Sequence, residues 1–170
     1  ARWMPIETKY LEWGTTRAPG LFRRPTFPEL YEIPEKIFFH RTAGEGLRSC
    51  YDNDQTLCNH TVMVCLPWHA LAGVHNNSLK KAARYSNETP PRPDLPKREA
   101  LEAISRRFAV KYLLGVMNSA LARNFLRANR RSNTDLYPDD WKKLPIPDVS
   151  PTEQAKVVAI VDQILPAKKR

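Results

Sequence analysis

The spacing of apolar positions changes partway along the chain, and the change predicts two kinds of element. From Ala1 to Glu32 there is no periodicity. Trp3, Tyr10, Trp13, Phe22 and Phe27 are separated by proline, glycine and charge, which predicts an irregular arm held by aromatic anchors. Lys36 to Arg41 then reads as a strand, Thr42-Ala43-Gly44-Glu45-Gly46 suits a tight reversal, and Leu47 to Tyr51 reads as the returning strand. Asp52-Asn53-Asp54-Gln55 carries turn chemistry. Thr61 to Leu66 is a run of strand formers without polar alternation, as expected of a strand covered on both faces, and Pro67 ends it. Together the three segments predict an antiparallel meander.

Beyond the sheet, Ala70 to Lys97 turns polar and closes on Pro90, Pro91, Pro93 and Pro96 as a semi-rigid connector, within which Leu79 to Tyr85 suits one helical turn or two. After Pro96 the step becomes three and four: Ile104, Phe108, Leu113, Val116, Met117, Ala120, Leu121 and Phe125 predict an apolar helical stripe. Asn118-Ser119 interrupts it. Two arrangements are open: the pair sits within one helix, or Asn118 caps a second one. The second places Arg123, Arg127 and one of Arg130 and Arg131 on a single exposed face. Leu136 to Trp141 turns the chain, and Lys142 to Pro147 is extended and bound by prolines. Ser150, Pro151 and Glu153 form a capping box ahead of Val157, Ile160, Val161, Ile164 and Leu165, which predicts a final helix packed by those five residues. The expected class is α+β, with an arm and small antiparallel sheet over residues 1–71, a connector over 72–98 and a helical subdomain over 99–170.

A chain of 170 residues can bury a core without disulfides or metals. Its longest apolar runs, Val62 to Leu66 among them, are far short of a membrane span, so no membrane partner is expected. Three cysteines, Cys50, Cys58 and Cys65, are an odd and sparse set that points to a reducing cytoplasm. The opening at Ala1, without an initiator methionine, suggests a piece of a longer polypeptide.

Charge narrows the class of partner. The net charge is +9, and Lys97 to Arg131 alone holds nine Lys or Arg against two acids, or +7. That balance favours a polyanion such as nucleic acid, although a solvated basic face is the plain alternative. Catalytic readings find less support. The cysteines have seven and six residues between them, and with His40, His60, His69 and His75 they lack the paired ligand spacing of a structural zinc site. Asp52 and Asp54 form a short acidic loop better suited to a turn than to acid–base work, and no glycine-rich loop cradles a phosphate. The basic helices and the aromatic-rich sheet remain, and both suit a duplex, where Arg and Lys neutralise phosphates and loop residues read base edges.

The segments Glu35 to Arg41, Leu47 to Asp52 and Thr61 to Pro67 resemble the sheet of the TaqI-like C-terminal specificity domain of DNA methyltransferases. Lys111 to Ser119, then Leu136-Tyr137-Pro138, then Leu144 to Pro147 with Glu153-Gln154, resemble that family's helical half in order and spacing. The likeness covers about residues 29 to 165, with the proline-rich stretch as an insertion. It implies a target recognition domain, which holds double-stranded DNA while a catalytic domain of the same polypeptide flips and methylates an adenine at its exocyclic amine. Neither the family's S-adenosylmethionine-binding motif nor its Asn/Asp-Pro-Pro-Tyr/Phe motif occurs here. The expectation is therefore a non-catalytic fragment with no cofactor of its own, from an adenine-N6 methyltransferase or a fused restriction-modification enzyme.

Candidate DNA contacts follow from position. Lys36, Arg41 and Arg48 lie on or beside the hairpin, where strand-borne cations either reach phosphate and guanine or are simply solvated. Tyr51, Asn59, His60 and Thr61 flank the second loop, as base readers or turn caps. Arg23, Arg24, Arg130 and Arg131 are backbone candidates, since paired arginines bind phosphates without carrying sequence information or are simply a solvated pair, and Arg123 and Arg127 join the DNA contacts on the exposed helical face. Trp68, Tyr112, Met117, Phe125, Tyr137 and Trp141 are expected to be architectural. Two rival readings are a protein-interaction module, docking the catalytic domain or a neighbouring subunit through the last helix and the basic face, and an RNA-binding domain.

Overall fold

The computed structural model describes residues 29–42, 47–56, 58, 61–75 and 93–167. The expected arm before Glu29, the glycine-rich reversal at 43–46 and the Leu79 to Tyr85 segment lie outside the described residues. The fold is α+β: helix α1 (Glu29–Glu32), strands β1 (Lys36–His40), β2 (Ser49–Asp52) and β3 (Val62–Cys65), then α2 (Arg98–Ser105), α3 (Val110–Met117), α4 (Ala120–Asn129), α5 (Pro138–Trp141) and α6 (Pro151–Ala167). They fall into two units that do not follow chain order. One takes the described residues of Ala1–Pro34, Asn53–Leu57 and Pro67–Arg106, the other those of Glu35–Asp52, Cys58–Leu66 and Arg107–Arg170.

In the first unit a short 3-10 turn, Trp68–Leu71, is tied to α2 by polar contacts. Arg98 is buried, and its guanidinium donates to the carbonyls of Leu71 and Val74, pairs with Glu102 at 2.8 Å and lies over the Trp68 ring. Ser105 Oγ donates to the Glu102 carbonyl and accepts from the His69 backbone N–H at 2.9 Å. A buried cation is tolerable only when its donors are met in this way.

Helix α1 belongs with α2 in the first unit, and the second unit holds the sheet and helices α3 to α6. Its strand order is β2-β1-β3, both pairings antiparallel, so the sheet is not the expected meander: β1 is central and β3 returns to it instead of to β2. The sequence Lys36-Ile37-Phe38-Phe39 explains the exchange, because all four residues are buried and β1 is the strand covered on both faces. The expectation of two covered faces for β3 is not met, since only Val62 is fully buried there. Ile37 and Phe39 point to one face and pack with Val110, Leu114, Met117, Ala122, Leu144 and Val161. Each such side chain, fully buried, contributes about 1.5–3 kcal/mol.

The predicted helical stripe divides into three helices. Asn118 ends α3, and it is Ser119 that caps α4, its hydroxyl accepting from Ala122 N at 3.1 Å. The box at α6 forms as expected, with Glu153 N–H donating to Ser150 Oγ at 3.3 Å and Ser150 N–H donating to Glu153 Oε2 at 3.2 Å. Helices α3 and α6 approach closely at Gly115, where an added Cβ would lie 2.6 Å from Val157 Cγ1. Only part of the expected α6 stripe is buried, however. Val161 is in the core and Val157 packs against it, while Ile160 and Ile164 are 57% and 49% exposed because the sheet and α3 cover a narrower arc than the apolar pattern spans.

Candidate nucleic-acid interface

Leu47 leads into β2, Leu126 is in α4, and Leu136 precedes α5; these three leucines bury together in a small cluster of the second unit. Each brings a polar or charged neighbour to the surface nearby: Arg48 after Leu47, Arg127 after Leu126 and Tyr137 after Leu136, with Arg48 and Arg127 exposed and Tyr137 half-buried. Arg48 is fixed from its other side as well, since Asn118 accepts from Ser49 N and donates to Ser49 O, both at 3.0 Å.

Helix α4 is anchored by Ala122, Phe125 and Leu126, whose steps of three and four put Arg123, Asn124 and Arg127 on the solvent side. It contains no acidic residue. Arg130 continues from its end, the backbone N–H donating to Leu126 O at 2.9 Å. A second cationic corner is built on Tyr137, with the Arg41 and Arg131 guanidiniums 5.3 and 5.1 Å from its ring centroid. The chain leaving β1 is held there by Leu136 N–H donating to Arg41 O and by a single bridge between Thr42 and Asp135. Here the charge is partly compensated, Arg41 standing 3.8 Å from Asp135 and Arg131 3.3 Å from Asp140 and 3.8 Å from Asp139.

The +7 run of sequence is therefore not one patch. Arg98 is buried, Arg107 and Lys111 pair with Asp148 and Asp162, and Lys97 and Arg106 belong to the other unit. What remains in the second unit is Arg123 and Arg127 on α4 and Arg130 and Arg131 just past its end, the last facing Asp139 and Asp140.

One expected contact, Lys36, is corrected. Lys36 has no exposed surface; its ammonium is 2.7 Å from Asp52 inside the sheet, so it has nothing to offer a phosphate. Tyr51 stands in an acidic setting: its hydroxyl donates to the Glu35 carboxylate, Lys111 covers its ring at 5.3 Å, and that lysine is 2.7 Å from Asp162. Burial first, and then the Glu35 hydrogen bond and the charges of Glu35, Asp162 and Asp52, raise the Tyr51 pKa above the ordinary tyrosine value. Thr61 is exposed and its carbonyl accepts from Arg41 N at 3.0 Å. Arg23, Arg24, Asn59 and His60 lie outside the described residues.

Two further residues, absent from the expected contacts, are exposed on α4: Asn124 and Leu121, the latter 75% exposed. Helical spacing carries the signal for Asn124, which falls opposite Ala122 and Leu126. It does not for Leu121, which belongs with Ala120 to the expected apolar stripe and lies instead at its exposed margin beside half-buried Phe125. Among the described residues no group of three or more His, Cys, Asp and Glu side chains is placed to hold a metal, and no helix is long and apolar enough to cross a membrane. Comparison with protein-family models, with curated proteins and with solved structures finds no match to this chain.

Proposed function

We propose that this chain is a sequence-specific DNA target recognition module, working with a catalytic adenine-N6 methyltransferase domain of the same polypeptide, in the cytoplasm. One observation carries the reading: the leucine cluster gathers Arg48 and the acid-free face of α4 into one neighbourhood, with Arg41 and Arg131 on the adjoining Tyr137. Arginines so placed neutralise phosphates, and none needs a cofactor to do so. The resemblance to the TaqI-like specificity domain adds the class of parent enzyme, in which S-adenosylmethionine belongs to the catalytic domain.

The test is titration of labelled duplexes across a salt series. Affinity is expected to fall steeply with salt, and the combined Arg123→Glu, Arg127→Glu variant to lower both the affinity and the slope, by roughly 0.9 for each phosphate no longer neutralised. A chain that binds no duplex at low salt, or a charge-reversed variant that binds as well as the parent, overturns the reading.

A second reading, docking to a protein partner, is favoured by Ile160 and Ile164, one turn apart and exposed on α6. Replacing both with Lys should abolish co-elution with the catalytic domain and leave duplex binding intact if this face serves docking.

A further inference from the structure

We propose that α4 is a helix that reads the DNA major groove, with Asn124 pairing to an adenine, Leu121 packing on a thymine methyl, and Arg123 and Arg127 holding the flanking phosphates. The proposal rests on the DNA-recognition reading and assigns the base-reading atoms within it. A helix of ten residues is about 15 Å long, and the major groove, about 12 Å wide, admits one.

Helix α4 uses its two asparagines differently. Asn129 spends its amide on the Phe125 carbonyl at 2.9 Å, whereas Asn124 is exposed and makes no hydrogen bond among the described residues, so both its donor and its acceptor are available. A carboxamide of that kind matches the N6 donor and N7 acceptor that adenine shows in the major groove, a pairing that asparagine makes with two hydrogen bonds. Its surroundings allow the approach. Ala120 and Ala128, four residues before and after Asn124 on the same ridge, are exposed and carry only a Cβ, so no long side chain overhangs the short amide.

Leu121 lies three residues before Asn124, also exposed, and offers methyl groups where a thymine presents its own. One exposed leucine is a small apolar surface beside the roughly 800 Å² that a protein interface takes from each partner. Arg123, exposed like Asn124, flanks the ridge, and Arg127 adds a second cation one turn on. The supporting side is fully built: Ser119 caps the helix, and Ala122 and Leu126 are buried beneath it. A side chain on a rigid helix so anchored holds its aim better than one on a loop.

The experiment is selection of the chain against a randomised duplex library, repeated with Asn124→Ala and Leu121→Ala. Both positions are exposed, and an unchanged thermal midpoint confirms folding. The parent is expected to enrich a short motif containing an A·T pair. Asn124→Ala should keep its salt-dependent binding yet lose preference at one adenine by roughly 5- to 150-fold, the range of a bidentate contact. Placing 7-deazaadenine at that position removes the N7 acceptor and should weaken the parent but not Asn124→Ala. Uracil in place of the neighbouring thymine should likewise weaken the parent but not Leu121→Ala. A motif retained unchanged by both variants overturns the assignment of α4 and leaves DNA recognition standing. Binding with no motif at all overturns base reading. A parent that binds no duplex, or that prefers unstructured RNA, overturns the DNA reading itself.

Discussion

Lys36 Nζ lies 2.7 Å from Asp52 Oδ2 across the β1–β2 pair, with the lysine side chain 0% exposed and the aspartate 7%. The two residues end the register that also pairs Ile37 with Tyr51 and Phe38 with Cys50. Removing one partner takes a 2.7 Å opposite charge away from the other inside a buried site. Lys36→Met is therefore expected to cost about 3–5 kcal/mol of stability, whereas Lys36→Met combined with Asp52→Leu should recover most of it. Urea denaturation of the two variants decides the matter, and a single variant as stable as the parent would show that the pair is not holding the sheet. Wherever Lys36→Met remains folded, duplex affinity should be unchanged, since the ammonium never reaches the surface.

Asn118 does for the outer edge of β2 what a fourth strand would do. Its side-chain oxygen accepts from Ser49 N and its amide donates to Ser49 O, while a second contact returns to the Leu114 carbonyl at 3.1 Å. Asn118→Ala leaves both backbone groups of a buried residue without that partner, at about 1–3 kcal/mol for each unsatisfied group. Asn118→Asp keeps an acceptor but no donor and should lie between the parent and the alanine variant. Hydrogen exchange at the Ser49 amide reads this locally; protection that survives in Asn118→Ala would refute it.

Much of this architecture is legible in the sequence where its cause is local. The α6 cap needs only Ser150, Pro151 and Glu153, and the β1 strand only its run of apolar residues. Strand order is not legible, because which strand lies in the middle depends on which faces the helices cover, and nothing within Thr61 to Leu66 records that. The burial of Lys36 is hidden for a similar reason, as lysine is almost always a surface residue and its partner is sixteen positions away. Asn118 reads as a cap because its bonds to Ser49 span 69 residues. In the candidate interface, the shared face of Arg123 and Arg127 follows from helical spacing alone. The setting of Tyr51 does not, because the Glu35 and Asp162 carboxylates that make it acidic come from outside its own strand. Asn124 is within reach of the same spacing whichever residue caps α4, because it lies opposite Ala122 and Leu126.

Gly115 sets the distance between α3 and α6. A Cβ there would be 2.6 Å from Val157 Cγ1 and 3.3 Å from Val161 Cγ2, and valine, branched at Cβ, cannot swing its methyl groups away cheaply. Gly115→Ala should therefore destabilise the protein by about 1–3 kcal/mol, even though alanine is the better helix former. Adding Val157→Ala should relieve the clash and return part of the loss. If Gly115→Ala alone raises the melting temperature, the helices do not meet at this glycine.

Stability should fall at alkaline pH. Burial pushes the Cys65 thiol up to about 11 from an ordinary 9.0. Tyr51 and Tyr112 are also raised, chiefly by burial, the latter with added repulsion from Asp148 and Glu153. An acid whose pKa is raised on folding keeps its proton in the folded state over a range where the unfolded chain has lost it. The folded state then binds more protons, and stability declines as pH climbs through that range. For Cys65 the decline runs from about pH 9 to about pH 11, and below about pH 8 none of these groups adds a slope. Urea midpoints from about pH 7 to about pH 11 should be level and then drop, with Cys65→Ala removing part of the drop; midpoints that rise above about pH 9 would contradict it.

Asp139 sits where it competes with a phosphate. It faces Arg131 at 3.8 Å and Lys142 at 3.4 Å and is partly exposed, whereas its neighbour Asp140 is buried and accepts from the Tyr137 backbone N–H at 2.9 Å. The two carboxylates thus have different work: Asp140 builds the corner, and Asp139 screens its cations. An exposed ion pair of this kind is weak, so Asp139→Asn should leave the fold intact and remove one negative charge from beside Lys142 and Arg131, the latter keeping Asp140 at 3.3 Å. On the DNA-recognition reading, affinity at low salt rises roughly two- to fivefold and the salt slope steepens by up to about 0.9 for one added phosphate contact. Asp140→Asn is the control, expected to lower the melting temperature through the corner it supports. If Asp139→Asn weakens duplex binding, or leaves both affinity and slope untouched, the Arg41–Tyr137–Arg131 corner is not part of the interface, and the case for DNA contact rests on α4 and Arg48 alone.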